Sequence, residues 1–275
     1  MSGDVRTGSE APPGFPEPDR RSLHHPPVEL VIFELLLLAD GKPVESKGAL
    51  ALKSVLMEAG WDVQHLESTQ RRNLSLKVVG DEPEVVVGEE ASGWSLVASD
   101  KSVSVSIFPT AVTAQVNGYR SWEKSLAPGL AGLLNGLGQV LQPSGVQRVG
   151  LRYVNRCTDP SASEPRSWRG RIEDSLLGPV LHPQFGDALV SAQQQVDLVW
   201  AQTERGVLRH GPFPDGSVGG ALSYLLDIDI SDTESGTFDP GRVLTVVDGL
   251  HLRALHVFQA SLTPQYLRVL RGDET

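Results

Sequence analysis

Cysteine is almost absent from this sequence of 275 residues. Cys157 stands alone, so no intrachain disulfide can form, and neither a thiolate zinc site nor a CxxC redox pair is available. That usage fits a reducing compartment. Basic excess is lacking too: 24 Lys and Arg stand against 34 Asp and Glu, and the formal charge of −10 repels phosphate backbones and anionic membranes. Arg-rich stretches are confined to Arg20–Arg21, Arg71–Arg72 and the 148–156 segment, so no nucleic-acid partner is expected. No uncharged apolar run reaches the ~18 residues of a membrane span. The nearest approach, Leu126 to Leu141, is interrupted by Pro128, Asn135, Gln139 and four glycines, and reads as a buried helix. The opening MSGDVRTGSEAPPGFPEPDRRS has no apolar secretion core, so a cytoplasmic location without a membrane is expected.

Signatures of familiar chemistry are also missing. No GxSxG elbow precedes a plausible acid and histidine. The glycine-rich stretch HGPFPDGSVGG, His210–Gly220, has no P-loop lysine and leads into a strand, which makes it a hairpin tip. His24 and His25 precede Pro26 at a tail junction. His251 and His256 are five apart, a spacing that does not align two ligands on one helix face. Neither a cofactor nor a metal is expected.

What is present is a change of period along the chain. Residues 1–25, with Pro12, Pro13, Pro16 and Pro18 among Gly, Ser and charges, predict a disordered tail. Pro26–Pro27 then extend the chain into Val28–Leu38, apolar except for Glu29 and Glu34, which suits a strand covered on both faces. Ser46 can cap a helix carrying Leu52, Val55, Leu56 and Ala59, with Gly60 at its end. Between 73 and 118 the period becomes two, at Leu74, Leu76, Val78, then Trp94, Leu96, Ala98, then Val103, Val105, Ile107, then Val112, Ala114, Val116: an antiparallel meander. Ser121 caps a helix to 141 whose glycines call for close packing. The second half repeats the order: strand 147–157, a short helix near 167–177, strands at about 189–201, 206–210 and 221–231, and a helix over 240–260. The expectation is an α+β protein of two similarly ordered halves, 26–145 and 146–275, with a mostly antiparallel sheet, helices on one face and a groove between the halves.

Five blocks in this order, HHPPVELVIFEL, NGYRSWE, GLRYVN at 150–155, YLLDIDI at 224–230 and HVFQASLTPQYL, resemble a sporadically distributed family of conserved bacterial proteins of about this length. The resemblance covers about 26 to 266 and implies a bacterial cytoplasmic origin. It carries no activity that could be transferred onto Arg152, Tyr153, Asn155, Asp227 or Asp229.

Chemistry-bearing residues gather on two strands. Arg148, Arg152 and Arg156 share one face of 147–157, opposite Val149, Leu151, Tyr153 and Cys157; Asp227 and Asp229 share one face of 221–231, opposite Tyr224, Leu226, Ile228 and Ile230. Two readings are open: cross-strand ion pairing on a solvated sheet face, or a covered groove in which Arg152 and Arg156 bind an anionic ligand that Asp227 and Asp229 orient. Asp227 and Asp229, with Asp232 beyond, also have a spacing that can hold Mg²⁺, but the arginine row competes for the same carboxylates. Glu34, in an apolar strand, needs a partner; an arginine would make it structural, and otherwise it joins the candidate groove. Cys157, mid-strand on the apolar face, reads as an inert thiol. The first functional expectation is therefore a module that binds a protein partner or a small ligand, within a defence or stress operon. The second is a small-molecule enzyme using Glu34, Arg152, Asp227 and Asp229. The third is a homo-oligomer packed through the glycines of 121–141.

Overall fold

The computed structural model describes residues 16–38, 43–79, 82–185, 188–216 and 222–273, with the side chains of 72–90 excepted. Among these residues, ten strands form one continuous antiparallel sheet. They are β1 (Val28–Leu38), β2 (His65–Val79), β3 (Glu82–Val97), β4 (Val103–Phe108), β5 (Ala111–Asn117), β6 (Gly145–Cys157), β7 (Gln194–Val199), β8 (Glu204–Pro214), β9 (Leu222–Asp232) and the two-residue β10 (Gly236–Thr237). The order across the sheet is β2-β3-β4-β5-β1-β6-β9-β8-β7, with β10 added to β6. Each half thus opens with a central strand, β1 or β6, and lays its later strands outward in reverse order. The two opening strands pair antiparallel at the centre, Phe33 opposite Leu151 and Ile32 opposite Arg152. The α+β class is as expected, and both halves share one sheet.

Period-two patterning decides which face is covered. On β1, Val31, Phe33, Leu35 and Leu37 are buried, whereas Leu30, Ile32, Glu34 and Leu36 are only half-buried. The expectation of a strand covered on both faces is therefore corrected: among the described residues helices pack on one side only, and on the other Ile32 and Leu36 lie opposite Arg152 and Arg148. The covered side holds α1 (Ser46–Glu58), α2 (Ala127–Val140), α4 (Pro240–Ser261) and a single hydrophobic cluster that runs from Leu52 and Leu56 through Phe33 and Leu151 to Val247 and Leu250. Burying each such aliphatic side chain is worth ~1.5–3 kcal/mol.

The glycines of α2 show why a flexible residue stands in a helix. A Cβ on Gly129 would fall 2.0 Å from the Trp61 indole, and one on Gly136 2.4 Å from Leu52 Cδ1. These positions let α2 press onto α1 and the turn after it, so their small size serves packing within the chain. Gly60 ends α1 at φ +90, in the left-handed region, as its position predicted.

Several boundaries differ from expectation. Glu45 rather than Ser46 holds the N-cap of α1, without a side-chain hydrogen bond. Ser121 does cap its helix, its Oγ accepting from Lys124 N at 3.0 Å, but a π-helical turn (Trp122–Leu126) comes first and Pro128 opens α2. β3 starts twelve residues before Trp94, because a strand pairing with β2 on one side does not need an alternating core face; the side chains of Leu74, Leu76 and Val78 lie outside the described residues. The helix near 167–177 is a series of short turns ending in α3 (Asp174–Leu177), and β7 is confined to Gln194–Val199. A last helix, α5 (Pro264–Arg271), was not foreseen; Thr263 caps it by accepting from Tyr266 N.

The expected tail is corrected over residues 16–25. Residues 16–25 run across α4 and α5: Asp19 N donates to Gln259 Oε1 at 2.9 Å, Gln259 Nε2 donates back to Asp19 O at 2.6 Å, and His25 N donates to Leu270 O at 3.0 Å. Asp19 also pairs with Arg21 and Arg271, and the Arg21 guanidinium hydrogen bond holds its carboxyl down at about 2. A polar, proline-rich composition predicts solvation only when nothing offers partners; α4 and α5 offer them. Residues 1–15 lie outside the described residues.

Candidate functional site

The sequence-predicted residues do come together, on the open face of the sheet. Arg152, on β6, faces Asp229 in the β9 register, yet its guanidinium grips Asp227, with Nε donating to Oδ1 at 2.6 Å and Nη2 to Oδ2 at 2.7 Å. This bidentate fork is a strong form of charged hydrogen bond. Arg209 of β8 approaches the same carboxylate at 3.6 Å. Arg148 binds Glu34 and lies 3.9 Å from Asp229, and Arg156 binds Glu29 and, at 2.9 Å, Asp215, which also accepts from Ser223 Oγ at 2.6 Å. Glu34 thus has the arginine partner that makes it structural. Among the described residues, no group of three His, Cys, Asp or Glu side chains forms a metal-holding cluster. The arginine and aspartate rows mainly neutralise one another across strands.

A cavity of about 500 Å³ lies elsewhere, on the helix-covered side, and none of Glu34, Arg152, Arg156, Asp227 or Asp229 lines it. Its floor is the apolar row of β6 and β9, where Tyr153, Asn155 and Ile228 project. One wall is α4, from Asp248 to Phe258. The second is the crossing segment 19–28, and the third is 119–123. Gly118, at φ +71, turns the chain out of β5 so that Tyr119 and Trp122 swing across to α4. The site therefore draws on both halves, as the expected groove did, but from different residues and on the opposite face.

Within it a chain of aromatic and polar contacts is set. The Trp122 and His251 rings stack with centroids 4.2 Å apart and planes 5° apart. Trp122 Nε1 donates to Asp248 Oδ1 at 3.1 Å; Tyr153 Oη lies 2.9 Å from His251 Nδ1; and Tyr119 meets Tyr153 edge to face at 5.8 Å. Burial sets the protonation states. It pushes Tyr153 well above the usual phenol range, so the hydroxyl keeps its proton at pH 7. It pulls His251 down to about 4, with Arg20 adding in the same sense, so the imidazole is neutral at pH 7. It also raises the Asp248 carboxyl, which the Trp122 hydrogen bond partly offsets. Proton balance gives the consequence. Between pH 6.5, the ordinary histidine value, and about 4, the unfolded chain takes up a proton at residue 251 that the folded chain refuses, so stability falls as pH drops through that window. His256, held near 4 by burial and then Arg253, acts in the same sense, and Asp248 in the opposite one. Urea midpoints at pH 7 and pH 5 are expected to fall less in His251→Gln than in the unmodified protein; equal falls would remove His251 from this account.

Sequence reasoning missed this site because its members are dispersed and each has an ordinary core reading. Tyr153 belongs to the apolar row; Trp122 looks like a helix-start anchor; the spacing of His251 and His256 argues against metal and says nothing of aromatic neighbours. The one signal was NGYRSWE, in which a glycine that can turn the chain is followed by two aromatics just before a helix. Cys157 is buried and its thiol is pushed up to about 12 by that burial, which agrees with an inert role.

No family model matches the chain, and no curated protein matches it. Among solved structures, S. pombe Pct1 RNA triphosphatase in complex with the Spt5 CTD aligns at 10% identity over 92% of this chain and 88% of that one, with a TM-score of 0.11. A second structure of S. pombe Pct1 RNA triphosphatase aligns at 11% identity over 92% and 87%, with a TM-score of 0.10. Likeness at that level supports no statement about fold or activity.

Proposed function

We propose that this protein is a bacterial cytoplasmic binding module for a small molecule, held in the cavity between α4, β6 and the segments 19–28 and 119–123. The observation that carries this reading is the cavity itself: about 500 Å³, mostly apolar walls and a few convergent polar groups, which is the size and character of ligand sites in general. Two further facts favour a small ligand over a protein partner. Among the described residues, the large apolar side chains left exposed, Leu38, Leu50, Met57, Phe185, Val190 and Val199, are scattered over β1, α1, the connection before β7 and β7 itself. The charged rows of the open face are already engaged with one another. A buried, un-ionised Cys157 is consistent with the reducing compartment that the cysteine usage suggests.

Leu255 lines the cavity from α4, and tryptophan in its place would occupy the space. Protein purified from its own cells and then denatured is expected to release a small molecule, detected by mass spectrometry, approaching one equivalent per chain. Leu255→Trp is expected to release little or none. Equal release from both, or none from either, would count against the cavity as the binding site.

A further inference from the structure

The polar capacity left inside the cavity specifies more than its volume does. Trp122 Nε1 is committed to Asp248, and the Tyr153 hydroxyl and His251 Nδ1 to each other. In a neutral imidazole Nε2 takes the role opposite to Nδ1: it donates, beside an accepting Tyr153 oxygen, when Nδ1 accepts, and it accepts, beside a donating Tyr153 hydroxyl, when Nδ1 donates. Among the described residues no group pairs with Nε2, and it is not one of the fully enclosed unpaired atoms. In either tautomer, what His251 and Tyr153 present together to a ligand is one donor beside one acceptor. One hydroxyl group on a ligand can answer both, since it accepts and donates. The walls around this pair are flat: Tyr119 and Trp122 offer ring surfaces, and Leu23, Val28 and Ile228 offer aliphatic ones. Ring-on-ring contact of that kind favours a planar aromatic body over a branched or flexible one.

An unpaired charge on a ligand seated against His251 and Asp248 meets the desolvation cost that burial imposes on those two side chains. Among the described residues, Arg20 and Arg120 also line the cavity without an ion pair to a carboxylate, and both are exposed to water, which screens their charge. Arg21 and Arg271 are held by Asp19.

Resting on the reading that the cavity is the binding site, we infer that its ligand is an uncharged planar aromatic alcohol, a phenol or naphthol in class, whose ring lies along Tyr119 and Trp122 and whose hydroxyl bridges Tyr153 and His251. Tyr153 and His251 are then the specificity-determining pair.

The probes are 2-naphthol, 2-methoxynaphthalene, naphthalene and 2-naphthoate, titrated at pH 7 by calorimetry into the unmodified protein, Tyr153→Phe and Leu255→Trp. The expected result is that 2-naphthol binds about fivefold to tenfold more tightly than naphthalene or its methyl ether, the range that one or two neutral hydrogen bonds supply. Tyr153→Phe should erase most of that preference while leaving naphthalene binding unchanged, which also shows that the variant is folded. Leu255→Trp should weaken all four. Tighter binding of 2-naphthoate than of 2-naphthol, or a hydroxyl preference that survives Tyr153→Phe, overturns the inference and leaves the cavity as the site. Failure of every probe to bind in a Leu255-dependent way overturns the cavity reading and this inference with it.

Discussion

Trp168→Ala is expected to lower the unfolding free energy by about 3–5 kcal/mol, the cost of removing a large aromatic side chain from a packed interior that closes only partly around the gap. Trp168 is fully buried in the connection between β6 and β7, where it meets the Tyr224 ring at 5.4 Å and the Tyr266 ring at 6.2 Å. It thereby ties β9 and α5 to a segment with little regular structure of its own. Denaturant unfolding followed by circular dichroism measures the loss. Trp168→Phe separates volume from polarity: among the described residues no group accepts from the enclosed Trp168 Nε1, so phenylalanine gives up some packing but also removes an unpaired buried donor. Its cost is expected to be under about 2 kcal/mol. A loss below ~1 kcal/mol for alanine would mean that the connection is not part of the cooperative unit.

Sequence periodicity recovered the layout because each element carries its own pattern. The Val103–Ile107 and Val112–Val116 alternations can only lie flat on a core from one side, and the Leu130, Leu133, Leu134 and Leu137 spacing only suits a helix stripe. Burial of one face against helices follows from those patterns. What the patterns leave undetermined is the partner of a residue that belongs to no pattern. Pro16–His25 is polar enough to be solvated, and becomes ordered only because Gln259 and the last turn of α5, far along the chain, meet its backbone. The candidate site divides in the same way. The Arg and Asp rows were legible from alternation alone, and so was the possibility that they pair. The cavity was not, because Tyr119, Tyr153 and His251 meet only after the sheet has brought β5's exit, β6 and α4 side by side.

Arg152 and Asp227 test the meaning of the charged face most sharply. Asp227 is buried, its side chain 5% exposed, whereas that of Arg152 is 39% exposed. Removing one partner is therefore unequal in cost. Arg152→Met strands a buried carboxylate with only Arg209 at 3.6 Å, and is expected to cost about 2–3 kcal/mol, less than for a wholly buried pair because water reaches the arginine side. Asp227→Leu leaves a guanidinium that water can solvate, and should cost about 1 kcal/mol less than the arginine variant. In the double variant no charge is stranded, so its loss should be smaller than the sum of the two by at least ~1 kcal/mol, a coupling that a double-mutant cycle in urea measures directly. All three variants should bind the cavity's ligand as the unmodified protein does, because the pair lies on the opposite side of the sheet from Tyr153 and His251. Loss of ligand binding with little loss of stability would instead make the arginine row the binding surface and return the functional site to the open face.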